Sequence, residues 1–424
     1  MSKSNIISRR EFLQVSVKTG AGLVIGVYLS GCKSLSPVTQ EPNTLPSATP
    51  EPTVPPTAAP GPVAPLKPNA FLKIDPNGEV TVTVHRSEMG QGVRTALPMM
   101  VAEELETDWS TIRIEQAPAD RVYGDQLTGG SHSIERTFLP LRRAGAVARE
   151  MLIAVAAQAW GVEKETCYAE KGVVLHRSSN RRLTFGELVK TAATMPAPGS
   201  DDVTLKDPKD FRIIGTRVGQ LDNPQIVDGS AVYGMDIRAP EMLYATIARS
   251  PVFDGEAASF DATQAQAVEG VRHVVQINNG IAVVAESTWA ALQGRQALQI
   301  EWDEGTSANL SSANIKQTLA ELLANAKSSD KISAARTLEA IYEVPLLAHA
   351  PMEPMNCVAD VRSDRCEVWA PTQNPQAAKS TVMSITGLPE KSITLHVTLI
   401  GGGFGRRLNV DYVPEAVQIS KAIG

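Results

Sequence analysis

The chain reads Gly401-Gly402-Gly403-Phe404-Gly405-Arg406-Arg407 between a predicted strand at residues 392–400 and a predicted helix at residues 412–422. Four glycines in five positions let the backbone turn tightly and bring its N–H groups close to an anion. The start of the following helix adds partial positive charge at the same place. This arrangement predicts a phosphate or pyrophosphate site, to which Arg406 and Arg407 would add charge-assisted hydrogen bonds.

A second segment has the same order of strand, glycine turn and helix. Residues 80–84 alternate valine and threonine, Gly90-Gln91-Gly92 follows, and a helical pattern begins at residue 95. A single Gly-x-Gly is weak evidence, and a simple bend is the alternative interpretation. The spacing Gly-x-Gly-x-x-Gly with an acidic residue after a second strand is absent from the sequence, which argues against a Rossmann-type dinucleotide fold.

The segment at residues 70–205 predicts an α+β domain. Residues 70–86 alternate apolar and polar side chains around the turn Asp75-Pro76-Asn77-Gly78, which is typical of a hairpin. Helical periodicity follows at 95–107 and at 141–160. The second of these helices is expected to carry three arginines on its polar face, namely Arg142, Arg143 and Arg149.

Two further regions complete the predicted α+β organisation. Residues 211–305 contain short strands separated by Gly, Pro and Asn turns, at 231–234, 243–248 and 280–285, and a helix at 287–298. Residues 337–424 contain predicted strands at 340–344, 356–361, 366–370 and 392–400 and the closing helix. The last strand has no predicted partner after it, so an open sheet edge is expected.

The first thirty-two residues have the parts of an export signal. Ser8-Arg9-Arg10-Glu11-Phe12-Leu13 resembles the twin-arginine consensus, and the apolar run at 21–29 is shorter than the roughly 20 residues that span a bilayer. The signal ends in Leu29-Ser30-Gly31-Cys32, which resembles a lipobox and makes Cys32 the expected lipid attachment site. The alternative is an ordinary cleavage site with an incidental cysteine.

A linker and a mildly acidic body follow the signal. Residues 33–68 contain eleven prolines, a composition that extends as a semi-rigid spacer, and the linker is predicted at 33–69. Removal of residues 1–31 takes away four basic side chains and one acidic side chain, so the net charge changes from −6 to −9. This net negative charge argues against a nucleic-acid partner. Contact with the membrane is expected through the lipid on Cys32 only.

The four cysteines form no Cys-x-x-Cys pair, so the sequence predicts no zinc or iron–sulfur site and requires an electron carrier elsewhere. Cys357 and Cys366 are more readily explained as buried thiols than as a disulfide.

Six motifs in order together resemble the molybdopterin-binding large subunits of isoquinoline 1-oxidoreductase and related membrane-bound aldehyde dehydrogenases, in the xanthine dehydrogenase superfamily. The motifs are Glu88-Met89-Gly90-Gln91-Gly92, Thr128-Gly129-Gly130-Ser131, residues 140–146, residues 349–357, Pro371-Thr372-Gln373-Asn374 and the 401–407 loop. The resemblance runs from about residue 70 to residue 424. It also explains a twin-arginine signal, because a protein that folds around a cofactor in the cytoplasm needs a route for folded cargo.

The resemblance implies molybdopterin-binding segments at 70–205 and 337–424 that flank an α/β hammerhead domain at 211–305. It places the backbone of Phe404 and Gly405 near an oxygen ligand of molybdenum, and Gly402, Gly403 and Arg406 beside them. Two other groups are similar to stretches that hold the pterin and its phosphates, namely Met89, Gly90, Gln91 and Gly92, and Gly129, Gly130 and Ser131. The cofactor implied is molybdenum bound to molybdopterin, in the cytosine dinucleotide form.

The resemblance also implies partners and a periplasmic location. Electrons would leave through a 2Fe-2S small subunit and a cytochrome c, after oxidation of an N-heterocycle or an aldehyde with water as the oxygen source. Purine-oxidising relatives have an acidic residue where this chain has Leu408 and a glutamine where it has Leu347, so purines are not expected substrates.

The family's catalytic glutamate belongs to a C-terminal half that is not part of this sequence, so no catalytic residue and no metal ligand are predicted here. Glu353 and Glu415 are weak substitutes. The resemblance therefore predicts that this chain is the N-terminal part of the subunit. The C-terminal half could be encoded as a separate chain. The alternatives are a truncated, non-catalytic lipoprotein that binds a cofactor or partner, and a periplasmic binding module.

Overall fold

The computed structural model describes residues 66–326, 335–336 and 338–424, which belong to a compact unit spanning residues 61–424. The predicted signal, Cys32 and the linker up to residue 65 lie outside the described residues. Mixed helices and sheets confirm the α+β class. None of the described helices is long and apolar enough to cross a bilayer.

The first sheet has the order β1-β2-β3-β4 and is covered by two helices that pack on each other. Its elements are β1 Leu66–Asn69, β2 Leu72–Ile74, β3 Val80–Val84, α1 Val93–Leu105, β4 Ile112–Gln116 and α2 Ser133–Trp160. The predicted hairpin is confirmed, because β2 and β3 pair antiparallel and the N–H of Gly78 donates to the carbonyl of Asp75. β3 and β4 are parallel, and α1 provides the crossover that a parallel pair needs.

Two boundaries differ from the sequence prediction. β1 pairs with β2, so residues 66–69, which composition assigns to the linker, belong to the sheet. α2 begins at Ser133, eight residues before the predicted start at residue 141. It continues without a break through Pro140. Glu135 in the first turn of α2 interacts favourably with the helix dipole.

The polar-face assignment for α2 is wrong for two of its arginines. Arg142 and Arg149 are buried and donate to Glu104 of α1, at 2.7 Å (Nε–Oε1) and 3.1 Å (Nη1–Oε2), while Arg143 pairs with Asp201 nearer the surface. The buried carboxylate of Glu104 needs cationic partners, and α2 supplies two of them.

A small antiparallel sheet and a helix follow. Their elements are β5 Cys167–Glu170, β6 Val173–His176, β7 Arg182–Thr184 and α3 Phe185–Ala192. Thr184 and Glu187 form a capping box at the start of α3.

The region at 211–305 forms two small antiparallel sheets, with orders β10-β11-β8 and β12-β9. Its elements are α4 Asn223–Asp228, β8 Tyr244–Ala248, β9 Glu256–Asp261, α5 Thr263–Gln266, β10 Val271–Ile277, β11 Gly280–Ala285, α6 Thr288–Ala297 and β12 Gln299–Asp303, and α7 Ser312–Asn325 follows. The predicted strands at 243–248 and 280–285 and the helix at 287–298 are confirmed. The strand predicted at 231–234 is not formed, because Tyr233 makes only a single parallel bridge, to Leu399.

The last sheet has the order β13-β14-β15 and packs against two helices. Its elements are β13 Val358–Val361, β14 Cys366–Ala370, α8 Pro375–Thr386, β15 Ile393–Val397 and α9 Tyr412–Ile423. β14 and β15 are parallel with Ala370 opposite Val397, so the segments after both strands start at one edge. The strand predicted at 340–344 is not formed, and that segment has no sheet partner among the described residues. Cys167, Cys357 and Cys366 are free thiols, in agreement with the expectation for Cys357 and Cys366.

Candidate functional site

Three loops that follow different elements are joined by short hydrogen bonds. The backbone N–H of Ser87 donates to Oγ1 of Thr128 at 2.8 Å, and Oγ of Ser87 donates to the carbonyl of Thr372 at 2.7 Å. The N–H of Thr128 donates to the carbonyl of Gln373 at 2.8 Å, and Nε2 of Gln373 donates to the carbonyl of Thr128 at 2.9 Å. Most of these groups are buried, so the loops after β3, before α2 and after β14 form one unit.

The 401–407 loop joins the same unit. The N–H of Ile400 donates to the carbonyl of Glu88 at 3.0 Å, and the N–H of Gln373 donates to the carbonyl of Arg407 at 3.1 Å. A Cβ placed on Gly403 would lie 2.9 Å from Sδ of Met89, and one on Gly129 would lie 3.3 Å from a methyl group of Leu408. The segments that the sequence analysis selected therefore meet in space.

Arg407 is fully buried and bonds only to the protein. Its Nε donates to the carbonyl of Gly402 at 3.0 Å, its Nη1 donates to the carbonyl of Pro371 at 3.3 Å, and its Nη2 donates to the carbonyl of Glu353 at 2.8 Å and to Oε2 of Glu353 at 3.1 Å. The expectation that Arg407 holds an anion together with Arg406 is therefore wrong. Arg407 instead ties the glycine loop to the segments on both sides.

Glu353 is the second centre of this cluster. Its Oε2 accepts from the N–H of Gly401 at 2.9 Å, and its Oε1 accepts from the N–H of Met235 at 3.2 Å and from Nδ2 of Asn356 at 2.8 Å. Both oxygens are thus occupied by internal donors. The sequence made Glu353 only a weak substitute base, because it lies in a motif that resembles the family without that role. No local signal pointed to its pairing with Arg407, which lies 54 residues away.

Glu415 is also committed to internal contacts. It forms an ion pair with Arg249, with Nε of Arg249 at 2.9 Å from Oε1, and Oε1 also accepts from Asn279 at 2.6 Å. These contacts join α9 to the 249–279 region and leave Glu415 a structural role.

A buried tyrosine supports the loop after β14. The hydroxyl of Tyr412 donates to the carbonyl of Pro371 at 3.0 Å. Burial raises the pKa of Tyr412 to about 12, which keeps the hydroxyl protonated as a donor.

The first glycine loop is folded around its own carboxylate. Oε1 of Glu88 accepts from the N–H groups of Gly90 at 2.8 Å and Gly92 at 2.9 Å, and Oε2 accepts from the N–H of Arg94 at 3.0 Å. N–H groups at the start of α1 therefore find their hydrogen-bond acceptor within the protein. The N–H groups of Gly90 and Gly92 are therefore occupied by an internal carboxylate, and a role of these two residues in holding the pterin stays a prediction.

Gln91 braces the same loop. Its Oε1 accepts from the N–H of Met89 at 2.7 Å, and its Nε2 donates to the carbonyl of Ser87 at 2.9 Å. Met89 meets Gly403 through its sulfur.

The middle of the 401–407 loop differs from its two ends, where the N–H groups of Gly401 and Arg406 donate to Glu353 and to the carbonyl of Gly403. Within the described part of the chain, the N–H groups of residues 402–405 donate to no protein acceptor. Gly402 and Gly405 have φ of 102° and 90°, and Phe404 has φ of 52° with its side chain 71% exposed. A bulky residue with positive φ is strained, and such strain is concentrated at functional sites.

Arg406 and the 129–131 loop lie at the border of this surface. Arg406 makes a two-bond pair with Asp411, with both distances 2.9 Å. Gly130 and Ser131 both have positive φ, near 60°, and lead into the N-terminus of α2. Arg406 and residues 129–131 are half-buried or exposed, so a ligand could reach them.

Family comparison identifies this arrangement. Two family models, both described as molybdopterin cofactor-binding domain, match residues 4–232 and 313–422. The chain belongs to this molybdopterin-binding family. The family is that of the molybdenum hydroxylase large subunits, which confirms the resemblance carried by the six motifs.

Curated relatives agree with this assignment. The chain is 32% identical over 85% of its length to isoquinoline 1-oxidoreductase subunit beta of Brevundimonas diminuta. It is 30% identical over 99% of its length to the membrane-bound aldehyde dehydrogenase (pyrroloquinoline-quinone) of Gluconacetobacter polyoxogenes. The chain spans 54% of the length of each of these two relatives.

Solved structures give a weaker likeness. The crystal structure of quinoline 2-oxidoreductase from Pseudomonas putida 86 is 22% identical and has a TM-score of 0.40, over 50% of this chain and 34% of that one.

The residues of the molybdopterin-binding chain fit such a cofactor at the 401–407 loop. A Cβ on Gly403 would lie 2.7 Å from Oε1 of Gln373, so only glycine lets the loops approach this closely. That Oε1 is buried and has no donor within the described residues. Free N–H groups suit the oxygens of a phosphorylated pterin, whereas no cluster of metal-binding side chains occurs in the part of the chain that the structure describes.

Proposed function

We propose that this chain forms the N-terminal part of the large subunit of a molybdenum hydroxylase, and that the 401–407 loop holds the molybdopterin. The observation that supports the proposal is that the N–H groups of residues 402–405 have no acceptor among the described residues, with Gly403 beside Met89 and Gln373. The whole enzyme would oxidise an aldehyde or an N-heterocycle, with water as the oxygen source. The names of the two relatives support this substrate class.

The residues of this chain would bind and orient rather than transfer protons. The bound cofactor supplies the oxygen-transfer and two-electron chemistry. The N–H groups of residues 402–405 would donate to oxygens of that group, and Gly129, Gly130 and Ser131 would border its phosphates. Phe404 would shield one side of the site from water, because its ring projects from the loop.

Finer features belong to the same proposal. The cofactor would be the cytosine dinucleotide form, and electrons would pass to a 2Fe-2S small subunit and then to a cytochrome c. The relatives named as subunits support an assembly of several chains. The other half of the large subunit would complete the site, either in the same polypeptide or as a separate chain.

We also propose a periplasmic location after export by the twin-arginine route. The Arg9-Arg10 pair and the lipobox around Cys32 support it, and the proline-rich spacer would hold the body away from the membrane.

A matched pair of glycine variants tests cofactor binding. Gly405 and Gly387 both have positive φ, 90° and 73°, and open space at the Cβ position, so alanine strains both to a similar degree. The full chain is purified from cells that make the cofactor, and molybdenum is counted by mass spectrometry and pterin by the fluorescence of its oxidised form. We expect Gly405→Ala to reduce the bound molybdenum and the bound pterin at least about five-fold, which corresponds to a ΔΔG of binding of about 1 kcal/mol. Gly387→Ala should keep the wild-type content of both. Wild-type chain without molybdenum or pterin contradicts the proposal.

A second candidate function is cofactor binding without turnover. It is favoured by the internal pairing of Glu353 and Glu415, which leaves neither carboxylate as a free base. Molybdenum bound at full stoichiometry without aldehyde or N-heterocycle oxidation, even with the other half present, would select this candidate.

A further inference from the structure

A short segment that begins at Gln220 contacts the first glycine loop and the start of α1. The side-chain amide nitrogen of Gln220 lies 3.0 Å from the position that a Cβ on Gly92 would occupy. The N–H of the next residue, Leu221, donates to Oγ1 of Thr95 at 2.9 Å. Two neighbouring residues thus hold this segment against the loop and the first turn of α1.

Asp222 adds an ion pair at the same end of the segment. Nε and Nη2 of Arg94 donate to the two carboxylate oxygens of Asp222 at 2.9 Å and 3.2 Å, and both side chains are largely buried. The backbone N–H of Arg94 donates to Glu88, whose carboxylate also holds the N–H groups of Gly90 and Gly92. Arg94 therefore joins the segment to the carboxylate that shapes the first glycine loop.

The other end of the segment contacts the second glycine loop. Tyr233 forms a parallel bridge to Leu399, which directly precedes Ile400 and the loop. The N–H of Met235 donates to Oε1 of Glu353 at 3.2 Å, and Oε2 of Glu353 accepts from the N–H of Gly401 at 2.9 Å. The segment is thus bonded to the same carboxylate that holds the start of the second loop.

Close packing fixes this second end, whereas the middle of the segment is exposed. A Cβ on Gly234 would lie 2.4 Å from Oδ1 of Asn356 and 2.8 Å from the ring of Pro371, so glycine alone permits the approach. Residues 223–230, which include α4, are all exposed. The contacts of the segment with the two loops therefore lie at its ends.

We propose that residues 220–235 form a clasp that fixes the distance between the two glycine loops, with Asp222 as a positioning residue. This inference rests on the proposed function and on the predicted role of residues 89–92 in holding the same pterin. A ligand held by two loops binds more tightly when their spacing is set beforehand, because less conformational freedom is lost on binding.

The clasp adds to a direct connection between the loops. The N–H of Ile400 donates to the carbonyl of Glu88, which joins the two loops where they leave their strands. The clasp connects them a second time, through Arg94 at one end and Glu353 at the other. Two connections restrict the relative movement of the loops more than one does.

A double-variant comparison tests the clasp in the full chain, produced in cells that make the cofactor. Asp222→Asn removes the charge that pairs with Arg94, and Gly234→Ala forces the other end away from Asn356. We expect each single variant to reduce bound molybdenum and pterin at least about three-fold. A clasp released at one end no longer acts at the other, so the double variant should lose little more than either single variant. Independent local effects would multiply to about nine-fold.

The exposed middle of the clasp supplies matched controls. Asp228→Asn changes a carboxylate that accepts from the N–H of nearby Ser230 at 2.9 Å. Gly229→Ala strains a backbone with φ of 80° but meets open space at the Cβ position. Both variants should keep the wild-type content of molybdenum and pterin. Asp222→Glu, which restores the charge, should bind more of both than Asp222→Asn.

Hydrogen exchange gives a second measurement that needs neither the cofactor nor Gly234→Ala. In Asp222→Asn, the amides of Met235 and Gly401 at the far end should exchange at least about three-fold faster than in wild type. Asp228→Asn should leave them unchanged. Unchanged exchange of both amides in Asp222→Asn would overturn the clasp, with or without bound cofactor.

The failure of the clasp and the failure of the proposed function give different results. Wild-type cofactor content in Asp222→Asn, or a double variant whose loss is the product of the two single losses, overturns the clasp and leaves the proposed function intact. A wild-type chain without molybdenum and pterin contradicts the proposed function, and the exchange of the Met235 and Gly401 amides then still decides whether the two ends are coupled.

Discussion

The guanidinium of Arg407 and the carboxylate of Glu353 form an enclosed ion pair directly behind the glycine loop. Nη2 of Arg407 lies 3.1 Å from Oε2 of Glu353, and the same oxygen accepts from the N–H of Gly401 at 2.9 Å. Both side chains are buried, Arg407 completely. A buried pair of this kind is stable only while each charge keeps its partner and its other hydrogen bonds.

We therefore predict that Arg407→Met destabilises the protein by about 3–5 kcal/mol, because it leaves the Glu353 carboxylate buried without its cation. The double variant Arg407→Met, Glu353→Gln should recover part of this loss. Urea unfolding of the wild type, both single variants and the double variant measures the coupling. Arg406→Met is the control: its exposed pair with Asp411 is worth about 1 kcal/mol or less. Similar losses at positions 406 and 407 would contradict the structural role of Arg407.

The capping of α1 by Glu88 leads to a second prediction. Glu88→Gln should destabilise the protein by about 1–2 kcal/mol, because the carboxylate accepts from three N–H groups and an amide offers only one oxygen. Thermal unfolding of the two proteins at pH 7.5 gives the difference. Glu135→Gln, on an exposed carboxylate, is the comparison and should change stability by no more than about 0.5 kcal/mol. Equal effects of the two substitutions would show that Glu88 does not organise the loop.

The local signals in the sequence were sufficient for much of the fold. The turn at Asp75–Gly78 and the alternation around it predicted the β2–β3 hairpin, and glycine turns between strand and helix patterns identified both loops. These features depend on neighbouring residues, so a single sequence contains them. The convergence of the loops followed from the family resemblance rather than from any local pattern.

Long-range pairing was not predictable in the same way. Arg142 and Arg149 look like solvent-facing residues, yet they bind Glu104, which is 38 and 45 residues away. The same reason explains the error for Arg407, whose carboxylate partner is far away along the chain. Residues 340–344 have strand composition but no strand, because a strand also requires a partner edge, and no described residue provides one.

Export and anchoring give a third prediction, which concerns residues outside the described part of the chain. Arg9→Lys together with Arg10→Lys should retain the protein in the cytoplasm, because the twin-arginine pair is the feature that the folded-protein translocase recognises. Cys32→Ser should allow export but abolish labelling by radioactive fatty acid and release the protein from washed membranes. Cell fractionation with immunoblotting measures both effects. Cys167→Ser, a buried thiol of the body, is the control for labelling. Membrane retention of the Cys32→Ser protein would contradict the lipid anchor.

The buried imidazole of His85 leads to a pH-dependent prediction. Burial, together with the neighbouring Arg86, lowers the pKa of His85 from 6.5 to about 4, although Asp125 acts in the opposite direction. The unfolded chain therefore takes up a proton near pH 6.5 that the native protein excludes until about pH 4. The contribution of His85 to stability is complete above pH 6.5 and is lost as the pH falls from 6.5 to 4. The loss amounts to about 3 kcal/mol at most.

The measurement compares wild type with His85→Phe, which removes the titrating group and keeps an aromatic ring beside Phe71, whose ring centroid lies 5.1 Å from that of His85. Urea unfolding at pH 7.5, 6.0 and 5.0 gives the free energy of unfolding of each protein. Carboxylates titrate in both proteins, so only the difference between them reports on His85. We expect wild type to lose more stability than His85→Phe as the pH falls below 6.5, because only wild type contains an imidazole that must stay neutral to remain buried. Parallel pH profiles would mean that His85 is accessible to protons in the native protein.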